Sequence, residues 1–234
     1  RIDILRRIAQ AGSISQAARE AGVSYKAAWQ ALETLANLAG TPLVEKAVGG
    51  SGGGGTVLTA AGWLVLRASD ELAAARAHVL GSLEPRGPAV ATGRAALALR
   101  TSMRNQFPCT VGGLSRQAGQ VRVQLRLAGK LAIHARITPE SMQLLGLQPG
   151  LPVLALCKAT AVAVSRQIDP AAGRNLLEGL VVRASRGAGG GEVTIRLPGD
   201  VLLVGFAGPG HGLRAGSPAQ AAVEEAGVVI AALQ

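Results

Sequence analysis

The chain is poor in aromatic residues and cysteine, and it lacks long apolar runs. Only 2% of its 234 residues are Phe, Trp or Tyr, which excludes the aromatic platforms on which many single-stranded nucleic acids stack. Cys109 and Cys157 provide neither a disulfide framework nor a cysteine-rich metal site. No apolar stretch approaches the roughly 20 residues of a membrane helix, and no segment resembles a signal peptide. We therefore expect a cytoplasmic protein with no membrane partner.

The sequence patterns of an active site are also missing. His78, His134 and His211 are not spaced like metal ligands. No nucleophile–base pair and no phosphate-binding loop is present. We therefore interpret the histidines as ordinary surface or core residues, and predict that the protein is not an enzyme.

Positive charge is abundant and unevenly distributed. The chain has 24 Lys and Arg against 14 Asp and Glu, a formal charge of +10, while 48% hydrophobic residues are enough for a folded core. Residues 1–80 have eight basic against six acidic residues, residues 81–166 eleven against two, and residues 167–234 five against six. The surplus in the middle segment indicates an anionic ligand for that segment, although an arginine-rich solvated surface would give the same count.

The first segment has the pattern of a helix-turn-helix. Ile2, Ile4, Leu5 and Ile8 begin an amphipathic helix that ends at Gly12. Ser13 with Gln16 forms a capping box for a second helix, Ile14–Ala21, and Ser24 caps a third. The residues expected to be buried in the third helix are Ala28, Ala31, Leu32, Leu35 and Leu38.

The outward face of the third helix is unusual for a merely solvated surface. It combines Tyr25, Lys26, Trp29 and Gln30, which suit contacts with the groove edges and phosphates of DNA. We predict that these residues, with Ser24 at the start of the helix, bind double-stranded DNA. The alternative is a helical hairpin without a DNA role.

A strand, a loop and a second strand follow the three helices, as in a wing. Leu43–Val48 and Thr56–Leu58 are the expected strands, and Gly49–Gly55 is the glycine-rich loop. Thr59 caps a long fourth helix that reaches about Leu80. Its apolar row favours a helix-to-helix dimer seam, although the row could also pack on its own domain. The row consists of Leu64, Ala68, Leu72, Ala75 and Val79.

The second half of the chain repeats itself at an offset of 70 residues. Without a gap, Arg104-Asn105 aligns with Arg174-Asn175, and Ser115-Arg116 aligns with Ser185-Arg186. Apolar residues alternate with polar ones within each copy, as from Val121 to Leu127. Short strands in units of this size are typical of OB-like barrels, so we predict two.

The first repeat contains the residues best suited to a small anion. Thr138 and Ser141 lie at the start of a short helix that ends at Gly146, and Lys158-Ala159 follow an apolar strand. Ser102 and Arg104 occupy another strand end. Hydroxyls, amides and two cations, with no carboxylate among them, suit a tetrahedral dianion such as sulfate, phosphate or a similar oxyanion. The alternative is helix capping and an ion pair with Glu140.

These motifs together resemble the ModE family of molybdate-dependent regulators. Gly12–Ala18, Ser24–Trp29 and Pro42–Glu45 are similar to the LysR-type winged helix, and the wing ending in Val57-Leu58-Thr59 narrows the resemblance to ModE. The repeats resemble its Mop domain pair. The resemblance implies that the oxyanion is molybdate or tungstate, held between the subunits of a homodimer by groups at Ser102, Arg104, Thr138, Ser141, Lys158 and Ala159.

The second repeat departs from this pattern. Gly208 and His211 replace the two hydroxyl residues, and Glu224 and Glu225 stand near the counterpart of Lys158, where they would repel a dianion. We expect this repeat mainly to build the dimer.

The resulting prediction is an α+β multidomain chain. A winged helix-turn-helix with a dimerisation helix spans residues 1–85, a linker spans 86–96, and OB-like Mop domains span 97–166 and 167–234, the second with a degenerate site. The expected function is molybdate-responsive transcription regulation. The alternative is molybdate storage with the winged helix as a dimer scaffold. A LysR regulator of an organic metabolite is excluded, because residues 94–234 lack the alternating helices and strands of its sensor.

Overall fold

The computed structural model describes residues 1–47, 55–81 and 101–232. It divides into a helical unit, Arg1–Glu84 with Pro139–Gly146, and a barrel unit, Pro85–Thr138 with Leu147–Gln234. The predicted linker and all of the predicted glycine-rich loop except Gly55 lie outside the described residues. None of the described helices has the length and hydropathy needed to span a bilayer.

Four helices and a two-stranded wing form most of the helical unit. They are α1 (Ile2–Ala11), α2 (Ile14–Glu20), α3 (Tyr25–Ala39), β1 (Val44–Lys46), β2 (Thr56–Leu58) and α4 (Ala60–Gly81). The wing strands pair antiparallel, with Glu45 opposite Val57. One core joins all of these elements because α1 and α2 present apolar residues at helical spacing. Its buried members include Ile4, Leu5, Ile8, Ile14, Ala17, Ala18, Ala28, Ala31, Leu32, Leu43, Leu58 and Leu66.

The predicted helix ends are confirmed. Gly12 ends α1 with a left-handed φ of 65°. The hydroxyls of Ser13 and Ser24 accept hydrogen bonds from the backbone N–H groups of the third residue after each. The capping box is only half formed, because the Gln16 side-chain oxygen accepts a hydrogen bond from Arg19 and not from Ser13 N–H.

Part of the predicted burial in α3 is wrong. Leu38 is 77% exposed and Leu35 only partly buried, because the core packs on the earlier turns of this helix. Within α4, Leu66 points into the core. The predicted seam residues Leu64, Ala68, Leu72 and Ala75 are exposed, and the side chain of Val79 lies outside the description.

Ten strands and a set of short 3-10 turns form the barrel unit. The strands are β3 (Asn105–Gln117), β4 (Gln120–Arg126), β5 (Ala132–Ile137), β6 (Pro152–Cys157), β7 (Ala163–Ser165), β8 (Arg174–Ala184), β9 (Gly191–Arg196), β10 (Leu202–Ala207), β11 (Pro218–Glu224) and β12 (Val229–Ala232). One sheet has the order β12-β6-β3-β4-β5, and a closed barrel has the order β10-β7-β11-β8-β9. Alternate residues of β4, from Val121 to Leu125, are fully buried, as the period of two predicts.

The internal repeat is confirmed by matching irregularities. A bulge between Val111 and Gly113 in β3 recurs between Val181 and Arg183 in β8, seventy residues later. The two halves exchange their last strands. β7, from the end of the first repeat, pairs with β10 and β11, whereas β12, from the end of the second, pairs with β6. Each five-stranded sheet is therefore completed by a strand of the other repeat, and the sheet that contains β7 is the one that closes into a barrel.

Two buried asparagines connect the halves in a reciprocal way. The Asn105 amide donates to Val204 O and accepts from Val204 N–H, both at 2.8 Å. The Asn175 amide makes the same pair of bonds with the backbone of His134, at 2.9 and 2.6 Å. Asn105 and Asn175 are one repeat apart, as are His134 and Val204, so the repeats are related by a pseudo-two-fold exchange.

A short helix from the first repeat packs in the helical unit. This helix, α5 (Pro139–Leu144), begins directly after Thr138. The Glu140 carboxylate lies 2.9 Å from Lys26 Nζ, and the Gln143 side-chain oxygen accepts a 3.1 Å hydrogen bond from Ser24 N–H. Leu144 packs against the helical core. The second repeat has no helix at the corresponding position, where Gly208–Gly212 form turns and loop.

Candidate functional site

The predicted DNA face lies on the first two turns of α3. Tyr25, Lys26 and Trp29 are exposed, and Gln30 is half-buried. The Tyr25 and Trp29 rings stack with centroids 6.4 Å apart, while the Trp29 indole N–H donates to Glu33 at 2.8 Å. This arrangement makes a firm aromatic surface beside a cation.

Two of these predicted DNA-binding residues are already engaged. Lys26 pairs with Glu140. Ser24 uses its hydroxyl to cap α3 by accepting from Ala27 N–H, and its own N–H donates to Gln143. The capping role explains why Ser24 stands at this position, and the Lys26 pair is a contact that sequence patterns did not predict.

The predicted cations of the oxyanion site lie side by side in the barrel unit. Asn105 begins β3 and pairs with Cys157, the last residue of β6. Arg104 precedes Asn105 and Lys158 follows Cys157, so they occupy adjacent positions beyond this strand pair. Both side chains are exposed.

The other two predicted ligands at this strand end, Ser102 and Ala159, are close in sequence to Arg104 and Lys158. Ser102 is exposed, two residues before Arg104. Ala159 is buried and begins a 3-10 helix whose N-cap is Lys158. The strand end therefore provides two positive charges, a hydroxyl and a tight backbone turn.

Thr138 lies apart from these cations within one chain. It follows Ile137, which pairs with Val121 of β4, and Val121 pairs with Arg116 of β3. Arg116 lies near the far end of β3, whereas Arg104 directly precedes the first residue of that strand. Sequence spacing could not reveal this separation, because it depends on the register of three strands.

Ser141 lies in the first turn of α5 and is assigned to the helical unit. Both Thr138 and Ser141 have interaction partners in this chain. Of the predicted oxyanion ligands, the structure thus groups the residues at the β3 and β6 ends, and it does not bring Thr138 to them.

A carboxylate contacts the predicted anion ligand Arg104. The Arg104 guanidinium donates to Glu192 Oε2, and Arg183 donates to Glu192 Oε1 at 3.0 Å. The hydrogen bond from Arg104, aided by the charges of both arginines, holds the pKa of Glu192 below its usual value. The residues predicted for this site include no carboxylate, and the structure adds one, because Glu192 of β9 in the second repeat contacts Arg104.

Three residues of the second repeat that correspond to predicted site residues, Arg174, His211 and Glu224, have partners within that repeat. Arg174 pairs with Glu224 at 2.8 Å. The His211 Nδ1 accepts a 3.1 Å hydrogen bond from Leu213 N–H, and its Nε2 lies 3.1 Å from Ser185 O. These side chains close their own strand end and loop.

Glu225 forms a second acidic contact between the repeats. It is 1% exposed and binds Arg122 at 2.7 Å and Arg136 at 2.9 Å. Burial acts to raise the pKa of Glu225, but the hydrogen bonds from Arg122 and Arg136 outweigh burial and lower it. Glu225 occupies the position that matches Ala159 in the first repeat.

Sequence patterns missed Glu192, Arg183 and the cross-repeat role of Asn105. A signal for the first was present, since the 70-residue offset aligns Glu192 with Arg122, an inversion of charge between the repeats. Within residues 1–47, 55–81 and 101–232, no three His, Cys, Asp or Glu side chains are grouped to hold a metal ion.

Comparison with known proteins matches both parts of the fold. Residues 1–63 match the model of bacterial regulatory helix-turn-helix proteins of the lysR family, and residues 101–164 match the TOBE domain. The molybdenum-pterin-binding protein MopA of Rhodobacter capsulatus is 36% identical, covering 99% of this chain and 91% of its own. The DNA-binding transcriptional dual regulator ModE of Escherichia coli (strain K12) is 37% identical, covering 87% of this chain and 80% of its own.

A solved structure resembles the barrel part. The cytoplasmic molybdate-binding protein ModG, in a crystal form with molybdate bound, is 29% identical with a TM-score of 0.53, covering 57% of this chain and 99% of that chain. The chain therefore belongs to the class of proteins that combine a lysR-type winged helix-turn-helix domain with TOBE-type domains. Identity of 36–37% over most of the chain gives the family: the chain belongs to the ModE family.

Proposed function

We propose that this protein is a molybdate-responsive DNA-binding transcription regulator. The observation that carries the proposal is the presence of two surfaces in one chain. One is the exposed Tyr25–Lys26–Trp29 face of α3, and the other has the cations Arg104 and Lys158 at adjacent positions beyond β3 and β6. One surface suits the major groove, and the other suits a tetrahedral oxyanion. Its relatives include a regulator and molybdenum-binding proteins, in keeping with a protein that binds and regulates and is not an enzyme.

The oxyanion site is proposed at Ser102, Arg104, Lys158 and Ala159 of one subunit. A planar guanidinium and an ammonium give directed, charge-assisted hydrogen bonds to a dianion. Thr138 and Ser141 are proposed to complete the site from the partner subunit, since Thr138 lies far along the sheet from Arg104 in its own chain. Molybdate or tungstate is the proposed ligand.

A homodimer follows from this division of the site. The exposed row on α4, including Leu64 and Leu72, is the proposed seam near the DNA-binding parts. A two-fold dimer would present two α3 helices to a palindromic operator with half-sites one or more helical turns apart. We propose a cytoplasmic location, where operator DNA is available.

Titration calorimetry with molybdate, tungstate, sulfate and phosphate tests the ligand, and operator binding with and without molybdate tests the response. A regulator predicts that Lys158→Ala weakens molybdate binding and also abolishes molybdate-enhanced operator binding, while the fold and the dimer persist. A storage protein predicts the first effect without the second. Unchanged molybdate affinity in both Arg104→Ala and Lys158→Ala would refute the assigned site.

A further inference from the structure

Arg104, the proposed oxyanion ligand, already contacts a carboxylate of its own chain. Its guanidinium donates to one oxygen of Glu192, and the other oxygen receives Arg183 at 3.0 Å. Arg104 is 52% exposed and Glu192 22% exposed. The contact therefore lies at an open strand end, where a small anion could reach Arg104.

Hydrogen bonds hold the Glu192 backbone, and its two arginine partners have exposed side chains. Its N–H donates to the Ser185 hydroxyl at 2.8 Å, and its carbonyl accepts from Ser185 N–H at 2.8 Å. Arg183 is 72% exposed. Because Arg183 bonds to the Glu192 oxygen that Arg104 does not use, the carboxylate keeps a partner when Arg104 turns to another anion.

A dianion and the Glu192 carboxylate would compete for the same guanidinium. The N–H groups that face Glu192 cannot also face an oxyanion, and the two negative charges would repel each other at short range. We propose that Glu192 is an internal competitor that weakens oxyanion binding at Arg104, and that Arg183 retains Glu192 when the oxyanion displaces it. This inference depends on the proposed oxyanion site.

The opposite role for Glu192, as a residue that assists oxyanion binding, makes an equally clear prediction. If Glu192 chiefly orients Arg104 for the ligand, then removing its charge should weaken binding. The competitor model predicts the reverse sign, so the direction of the change separates the two.

The test is calorimetric titration of the full-length chain with sodium molybdate at about 0.15 M salt. Glu192→Gln keeps the shape of the side chain and removes its charge, and we expect affinity to rise roughly two- to fivefold, from local ion-pair energies. Arg183→Gln should lower affinity by a few-fold, since Glu192 then has Arg104 alone. In the double variant the Arg183 effect should disappear.

Matched controls separate competition from the general charge of the protein. Glu178→Gln removes an exposed carboxylate from β8 of the same repeat, and Arg196→Gln removes an exposed arginine. Neither should change affinity appreciably. Raising the salt to about 0.5 M should shrink any long-range effect and leave the sign of the Glu192→Gln effect intact.

The outcomes distinguish this inference from the proposed function. If the parent binds molybdate and Arg104→Gln loses that binding, but Glu192→Gln is unchanged or weaker, the competitor model is wrong. Equal gains from Glu178→Gln would also overturn it. If the parent binds no oxyanion, or Arg104→Gln binds as well as the parent, the proposed site itself fails. Glu192→Ser provides a second variant, and it should change affinity in the same direction.

Discussion

The two repeats of the barrel unit share a framework and differ in the charges placed on it. Both have the same bulge and an asparagine that bridges to the other repeat, and their strands have the same neighbours except that β10 also pairs with β7 and so closes one sheet into a barrel. In the first repeat the strand end has Arg104 and Lys158, whereas the matching strand end of the second repeat pairs Arg174 with Glu224. The first repeat has two cations at this strand end and receives a carboxylate, Glu192, from the other repeat, whereas the second repeat pairs its arginine with a glutamate of its own.

With the oxyanion site as proposed, this difference separates ligand binding in one repeat from stabilisation by the other. In the second repeat, Glu225 is buried and fixed by two arginines of the first. At the other contact, Glu192 meets Arg104 at an open edge, where water and ligands compete. A glutamate thus stabilises the fold where it is buried, as at Glu225, and can be displaced where it is accessible to solvent, as at Glu192.

The largest effect should come from breaking the buried contact. Glu225→Gln leaves Arg122 and Arg136 without their shared carboxylate, which should cost about 3 kcal/mol of unfolding free energy. Chemical denaturation of the full chain measures this loss. Arg174→Gln, which breaks the exposed pair with Glu224, should cost under about 1 kcal/mol. Equal losses from both variants would contradict the distinction between buried and exposed pairs.

The same contact predicts a pH dependence. The pKa of Glu225 is lowered in the folded chain, so its stabilisation is complete above the unfolded-state pKa, near 4.3 for glutamate. The stabilisation is lost as the pH falls through the lowered folded value. The stability gap between the parent and Glu225→Gln should therefore be full at pH 7 and shrink below about pH 4.

The next effect tests which repeat binds the oxyanion. Arg104→Ala or Lys158→Ala should lower molybdate affinity roughly ten- to a hundredfold, since each removes a charge-assisted hydrogen bond. Arg174→Ala, the matched change in the second repeat, should leave affinity unchanged. Titration should saturate at about one site per chain. A second site of similar affinity that Arg174→Ala abolishes would show that the repeats are functionally equal.

The full chain is needed for this titration. An isolated fragment 167–234 would lack β7, which forms part of the closed barrel. Failure of that fragment to bind molybdate would then report a missing strand instead of a missing site.

Local features of the sequence predicted the fold better than the site. Ser13, Ser24 and Gly12 define helix ends through contacts within a few residues, so their roles follow from sequence alone. The exchange of β7 and β12 does not, because both strands have similar alternating patterns and either could fit either barrel. The contact of Glu192 with Arg104 was also missed, because the two residues are 88 positions apart in the sequence and meet only through the tertiary fold.

A smaller effect is expected at the DNA face. Lys26→Ala should weaken operator binding several-fold and reduce the salt slope by about one, as for the loss of one phosphate contact. Gln30→Ala should relax base preference at one position. Fluorescence anisotropy with operator DNA over a range of salt measures both. Unchanged operator affinity in the Lys26→Ala, Gln30→Ala double variant would contradict the assignment of α3 as the DNA-reading helix.

The smallest effect should come from the short helix that only the first repeat has. Glu140 of α5 is 15% exposed and pairs with Lys26, which is 71% exposed, so solvent screens the ammonium and DNA phosphate can compete for it. Glu140→Gln should free Lys26 and raise operator affinity in the absence of molybdate about two- to threefold. Glu178→Gln, a matched loss of charge in the second repeat, should not. If Glu140→Gln has no effect, or if both variants tighten binding equally, then α5 does not restrain Lys26, and the difference between the repeats lies in the strand ends alone.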